Sequence, residues 1–314
     1  MTKKQPDLEL SLEKRFRKIK YVIPLVTLFT AGLLMWAIYL LMTMFVQGHY
    51  WACIPAGLLA HSYLIICLHD GIHKSITRTS FDRIFGNISA ALLFVPYGEL
   101  YRKYHLIHHR NTNLENDPIS PPVLRKLYLK NRVFYMLCEA IPLLYTFYLV
   151  MTYQISENKR APAKEISISY VYLIGSVLIS IGWFILIEPS VWFIVCTLIS
   201  FNLFSVLRNW CEHMGTNQNK SSNTYWFPLG FGIGHHDLHH QKPYLSWLTL
   251  TFGLFYRDKD TNPVKALYGI LFDKSFGFYT KKWPHFFDDI DVKGKRLRHI
   301  LNTCLRQAGL VLSP

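Results

Sequence analysis

The amino-acid sequence predicts an all-α integral membrane protein, with four transmembrane helices in two hairpins, an interfacial or re-entrant helical segment, and a cytoplasmic histidine-rich cap. Three observations predict it. Hydrophobic residues make up 51% and charged residues only 17% of the 314, a balance unlike that of an ordinary soluble domain. Several apolar runs approach the roughly 20 residues that a helix needs to cross the hydrocarbon core. Nine of the 14 histidines fall into four short groups.

In chain order, Met1 to Lys20 is polar and basic, and the apolar run after it is too long for the core of a signal peptide. The segment is expected to stay on the chain as residues 1–20 of a cytoplasmic N-terminus. Tyr21 to Phe45 carries no charge and is the first span; Val46 to Trp51 turns the chain into the second, Ala52 to Leu68. Ser167 to Ile187 and Val191 to Leu207 are the other two, separated only by Glu188, Pro189 and Ser190. Val133 to Thr152 is apolar but contains Glu139 and Pro142. Histidine groups lie on both sides of it, so a third crossing there would put them on opposite faces of the bilayer. It is therefore expected to lie in the interface, or to enter and return near Pro142. Residues 21–255 form the membrane domain and 256–314 a basic cytoplasmic tail.

The formal charge is +14, with basic clusters at Lys14 to Lys20, Lys159 to Lys164 and Lys281 to Arg298. By the positive-inside rule these segments face the cytoplasm. The same charge suits docking of an acidic electron carrier or anionic lipid headgroups, although topology alone accounts for it. Cys53, Cys67, Cys138, Cys196, Cys211 and Cys304 contain no CxxC pair, which argues against a zinc ribbon, an iron–sulfur site or a disulfide framework.

The histidine groups carry the chemistry. His69 and His73 are spaced i, i+4 at the end of the second span; His105, His108 and His109 follow with spacing i, i+3, i+4. His213 comes directly after the fourth span, and His236, His239 and His240 repeat the second spacing. Residues so spaced share one helix face, and each triplet is expected to turn three imidazoles toward a common point. One metal takes about three or four protein ligands, so this many imidazoles imply a di-metal cap. Imidazole suits iron, copper and zinc alike. Neither the Glu-x-x-His spacing of soluble di-iron bundles nor a His-Glu-x-x-His zinc motif occurs. His49, His285 and His299 read as solvated, and His61, inside the second span, as a helix-packing hydrogen-bond partner. His235 stays open as a supporting residue.

The order HxxxH, HxxHH, HxxHH resembles the membrane fatty-acid desaturase superfamily, with its carotenoid hydroxylase and ketolase relatives, over roughly residues 21–255. The stretch from Pro96 to Pro118, PYGELYRKYHLIHHRNTNLENDP, is similar to the second-box region of bacterial desaturases and cyanobacterial-type carotenoid hydroxylases. Glu212-His213 resembles the isolated ligand histidine, and Asn209 an asparagine that holds a metal through water. The resemblance implies that His69, His73, His105, His108, His109, His213, His236, His239 and His240 bind two iron ions, with Asn209 as a water-mediated ligand. One departure stands out: many members have asparagine four residues before the last box, where this chain has Gly232. His235 is a candidate replacement, and Asp70 and Asp237 are candidates to hold the far N–H of ligand imidazoles.

What the resemblance implies is O₂-dependent oxidation of an unactivated methylene, which no side-chain acid or base can attack and which needs a metal-based oxidant. Loss of a second hydrogen gives a double bond, hydroxyl transfer an alcohol, and sub-ångström placement decides between them. An acyl-lipid desaturase is the leading expectation, a carotenoid or lipid hydroxylase on the same scaffold the second, and a non-catalytic membrane metal-binding protein the third. Phe94, Tyr97, Tyr101, Tyr104, Trp210, Trp226 and Phe227 are candidates to line a substrate tunnel. No haem or flavin module is fused, so the electrons are expected from a separate ferredoxin, rubredoxin or cytochrome b5 type donor. The expected location is a bacterial inner membrane, or the endoplasmic reticulum of a eukaryote, with both termini and the site cytoplasmic.

Overall fold

A helix that is apolar on every side has no aqueous face, and a bilayer is the solvent that accepts it. The computed structural model describes residues 14, 17–112, 117, 131–141, 163–213, 222–226, 230–232, 234–254 and 262–272. Among these, four helices are long and apolar enough to cross a membrane: α1 (Ile23–Val46), α2 (Tyr50–Ile72), α6 (Ala163–Ile187, apolar from Glu165) and α7 (Val191–His213). Large apolar side chains such as Leu25, Phe29, Trp36, Val171, Leu178 and Ile185 are exposed along α1 and α6, as lipid contact requires. α2 is different, with 67% of its apolar window buried.

α2 packs against α7 at Gly57. A Cβ there would lie 2.5 Å from Ser200 Cβ, so only a hydrogen fits, and Ser200 Oγ donates to the Ile54 carbonyl at 3.1 Å. Small residues at such a crossing let backbones approach where no hydrophobic force drives helices together. The contact sets side by side the two spans that end in His69 and His213. α7 runs unbroken to His213, so the Asn209 to His213 segment continues the span instead of following it. α2 is not the uninterrupted helix that the sequence predicts: Ile65–His69 is a π turn, whose extra residue shifts the phase of the helix just before the first histidine.

Between the spans lie α3 (Phe81–Leu92), α4 (Gly98–Asn111) and α5 (Arg132–Ala140); after α7 come α8 (His236–Gln241), α9 (Trp247–Leu254) and α10 (Pro263–Phe272). α4 is held by one carboxylate. Glu99 is fully buried and accepts from Arg83 on α3 (2.6 and 3.0 Å), from Arg102 (2.9, 3.0 and 3.1 Å) and from Ser169 on α6 (3.2 Å). Burial disfavours the charged form of Glu99, but the guanidinium groups of Arg102 and Arg83 outweigh it and hold the carboxyl below the ordinary range.

α5 opens on an Asn131 cap, whose side chain accepts from Phe134 N at 3.0 Å, the expected device at a helix start. Its nine residues extend about 13 Å, well short of the hydrocarbon core, so this part of Val133 to Thr152 does not span. Beyond Ile141 that segment lies outside the described residues. Tyr135 stacks on Trp210 of α7 with centroids 6.1 Å apart, and the Trp210 indole donates to Glu139 at 3.0 Å. α10, within the segment expected as a tail, packs Ile270 into the same cluster. Cys53, Cys67, Cys138, Cys196 and Cys211 are free thiols; Cys304, His285, His299 and Phe227 lie outside the described residues.

Candidate metal centre

All nine box and span-end histidines converge, in two groups. His69, His73, His105, His109 and His239 form one; His108, His213, His236 and His240 form the other; within each, the ligand nitrogens lie within 4.8 Å of one another. The grouping corrects the expectation of a common point for each triplet. The i, i+4 pairs stay together, His105 with His109 and His236 with His240, whereas His108 and His239 cross to the opposite group. Neighbouring histidines on a helix point about 100° apart, so each HxxHH box feeds both groups.

The nitrogens that face inward are Nε2. His73 and His105 Nε2 are 2.8 Å apart, His105 and His109 3.0 Å, His109 and His239 3.1 Å; in the second group, His213 to His236 and His236 to His240 are both 3.1 Å. Two imidazoles bound at right angles to one metal at about 2.1 Å have nitrogens about 3.0 Å apart. His69 Nε2 is buried and meets no hydrogen-bonding partner. Burial and then the neighbouring imidazoles push His73 down to about 3, and hold His105, His109, His236, His239 and His240 below the ordinary histidine value, so the charged imidazolium form is disfavoured. Neutral imidazoles with convergent lone pairs in a desolvated pocket fit a pair of metal cations.

For His108 and His240 the outward nitrogen explains why Nε2 is free, whereas Nδ1 of His105, His109, His236 and His239 is buried without a hydrogen-bond partner. His108 Nδ1 donates to both oxygens of buried Asp117, at 2.9 and 3.0 Å. The Thr112 hydroxyl donates to the His108 carbonyl at 2.7 Å, so at 3.0 Å it accepts from His240 Nδ1. Each bond fixes the tautomer that leaves Nε2 unprotonated. Asp117→Asn is expected to weaken metal retention about 10–100-fold, read as metal left per chain against graded chelator.

Asp117 and Thr112 escaped the sequence reading, which looked inside the boxes. Asp70 sits 3.4 Å from His69 Nδ1, a marginal contact, while its other oxygen accepts from Trp247 N at 2.7 Å; the Trp247 indole reaches Thr27 of α1 at 3.0 Å. Its principal role is to tie the first box to the chain beyond the third. Asp237 accepts from Gln241 at 3.1 Å. Glu212 accepts from the Tyr225 hydroxyl at 3.1 Å and lies 3.4 Å from His236 Nε2.

The last box is placed by a short bridged loop. Asn223 N donates to the Glu212 carbonyl at 2.8 Å, Tyr225 N to that of Gly234 at 2.9 Å, and Thr224 pairs with His235. His235 is buried in this bridge and is in neither histidine group. Gly232 turns the chain at φ +79°, where a Cβ would lie 2.3 Å from Thr251 N. The departure from asparagine therefore has a steric reason. Gly232→Asn is expected to cost roughly 3 kcal/mol and to release metal, checked by thermal unfolding in detergent with metal analysis.

A cavity of about 160 Å³ opens against His69, His105, His108, His213 and His236, and Tyr97, Tyr101, Tyr104 and Asn209 also line it. A second, of about 450 Å³ and almost wholly apolar, runs between α1, α2, α6 and α7 and includes Phe94; Leu64, Val95 and Phe201 belong to both. Of the other expected tunnel residues, Trp210 is buried against Tyr135 and Trp226 is half exposed. His49 is exposed, as expected for a solvated histidine.

Comparison with known proteins gives the family. The chain is 25% identical over 260 residues to the sphingolipid delta(4)-desaturase/C4-monooxygenase of Mus musculus, covering 74% of this chain and 75% of the relative. It is 25% identical over 244 residues to the sphingolipid delta(4)-desaturase of Drosophila melanogaster, with 72% and 73% covered, and 22% identical over 195 residues to a sphingolipid delta(4)-desaturase-like protein of Arabidopsis thaliana, with 60% and 57% covered. No solved structure matches. The fatty acid desaturase family model matches residues 47–252, a stretch that holds all nine convergent histidines, and the chain belongs to that family of membrane oxidoreductases.

Proposed function

We propose that the chain is an O₂-dependent, non-haem di-iron desaturase that introduces a double bond into the acyl chain of a membrane lipid. The observation that carries this reading is the pair of Nε2 clusters facing a cavity that adjoins an apolar one between the spans. His69, His73, His105, His109 and His239 hold one iron; His108, His213, His236 and His240 hold the other, with Asn209 acting through water. Two irons so held supply the oxidising power that an unactivated methylene demands. The chain's own residues do the rest. Asp117 and Thr112 keep protons on the outward nitrogens of His108 and His240, and the apolar walls exclude water and align the hydrocarbon. Electrons come from a separate ferredoxin, rubredoxin or cytochrome b5 type protein. The spans form two hairpins within a 21–255 membrane domain, with the site and both termini (1–20 and 256–314) cytoplasmic, in a bacterial inner membrane or the endoplasmic reticulum.

Hydroxylation on the same scaffold is the second reading, favoured by a relative whose name joins desaturase to C4-monooxygenase. Iron quantification and lipid profiling of a host expressing the protein decide. About two irons per chain with new double bonds support desaturation; hydroxylated lipids with unchanged unsaturation reject it for the second reading; iron without O₂ consumption under a reduced donor rejects both.

A further inference from the structure

Two cysteines meet at the end of the bundle far from the histidines. α2 and α7 both carry histidines of the centre at their C-terminal ends, so they run parallel, and their contacts keep one register. Gly57 meets Ser200, whose Oγ donates to the Ile54 carbonyl. The His61 ring, its Nδ1 unpartnered, packs on Phe201 with centroids 6.1 Å apart. One helical turn earlier on each helix stand Cys53 and Cys196, at i − 4 from Gly57 and Ser200 and on the same faces. Their thiols share a hydrogen bond. Both are half-buried free thiols, whereas Cys67 and Cys211 are buried. Tyr50, Trp51 and Trp192, just before them in the chain, are exposed, and such aromatics mark a membrane–water interface. The thiols lie only about 5–6 Å along the helices from Tyr50 and Trp192.

Resting on the reading above that the histidine site faces the cytoplasm, we propose that Cys53 and Cys196 form a disulfide across the extracytoplasmic ends of α2 and α7. The compartment on that side, a periplasm or the lumen of an endoplasmic reticulum, sustains disulfides. The oxidant is an external disulfide, either small or on a protein. One thiolate of the pair attacks it and releases an external thiol, and the second thiolate displaces the other external sulfur from the mixed disulfide. One external disulfide is thereby reduced to two thiols, which take up the two protons, and one S–S bond forms between the spans. The bond lies about 25 Å from the metals and clamps together the two helices whose other ends carry His69 and His213.

The test isolates the full chain from membranes of an expressing host under acid quench, denatures it and counts thiols with a maleimide mass tag. Of the six cysteines, four are expected to react before treatment with a phosphine reductant and all of them after it. Cys53→Ser and Cys196→Ser are each expected to show about five in both conditions, the partner being freed. Reducing the folded wild type is expected to lower its thermal midpoint in detergent by about 5–10 °C, to that of either variant, with metal content unchanged. Full reactivity of the unreduced wild type, or a disulfide that survives in either variant, overturns the bond; a midpoint that ignores the reductant overturns the clamp. A second arm adds oxidised glutathione to the purified full chain. No bond in either arm overturns the meeting of the two thiols, whereas a bond that forms only in the second arm overturns the cytoplasmic placement of the site on which the proposal rests.

Discussion

His109→Ala is expected to remove lipid oxidation to below about one-thousandth of the wild-type rate, equivalent to about 4 kcal/mol, while bound iron falls from about two to about one per chain. His109 holds the middle of the five-histidine group, with Nε2 at 3.0 Å from that of His105 and 3.1 Å from that of His239. Its ring also stacks on His240 of the other group, centroids 4.2 Å apart and planes 18° from parallel. Deleting it opens one group and removes a wall of the second. The metal of the second group keeps all four of its histidines, so the activity loss is predicted to exceed the iron loss. His108→Ala is expected to empty the other group to the same functional end. His49→Ala, on an exposed turn, is the matched control with wild-type iron and products. Iron assay and lipid profiling of the three variants check the result; a His109→Ala protein with wild-type iron and wild-type lipid oxidation would remove that residue from the ligand set.

The spans and the histidines were legible because both are local signals. Hydropathy needs only a window, and α1, α2, α6 and α7 lie within a few residues of the apolar runs. Spacing identified the nine histidines because i, i+3 and i+4 share a helix face. It did not reveal which histidine joins which group, since a 100° step per residue sends His108 and His109 apart and only the opposing helices decide what each meets. The π turn before His69 has no composition signature: Ile65 to Leu68 read as ordinary span. The supporting contacts were hidden for a related reason. Asp117 lies nine residues beyond His108, outside any helical spacing, whereas Asp70 and Asp237, conspicuous inside the boxes, give their shortest described bonds to Trp247 and Gln241. The signal for Asp117 in the sequence is an acid in the NTNLENDP stretch. Gly232 is a visible departure in the sequence, but its cause, the backbone of Thr251 where a Cβ would stand, is a tertiary fact.

Glu99→Gln is expected to destabilise the protein by about 3 kcal/mol, the lower end of the range for breaking a buried ion pair, because Arg83 and Arg102 are 21% and 14% exposed and partly screened. The carboxylate is 1% exposed and receives bonds from two guanidinium groups and Ser169. Removing its charge leaves Arg83 and Arg102 crowded between α3 and α4 at the base of the second histidine box, with only the half-exposed Glu165, 3.6 Å from Arg102, as a described counter-charge. The energy is pH-dependent with a definite sign. The folded carboxyl sits below its unfolded value, because Arg102 and Arg83 outweigh the opposing effect of burial. Its contribution is therefore complete above the unfolded carboxylate pKa of about 4.3 and disappears as pH falls through the folded value. Thermal unfolding in detergent is expected to show wild type well above Glu99→Gln at neutral pH, with the two curves converging in acid. A gap that stays constant down to low pH would mean that Glu99 supports α4 through shape alone, and that the arginines find their counter-charge elsewhere.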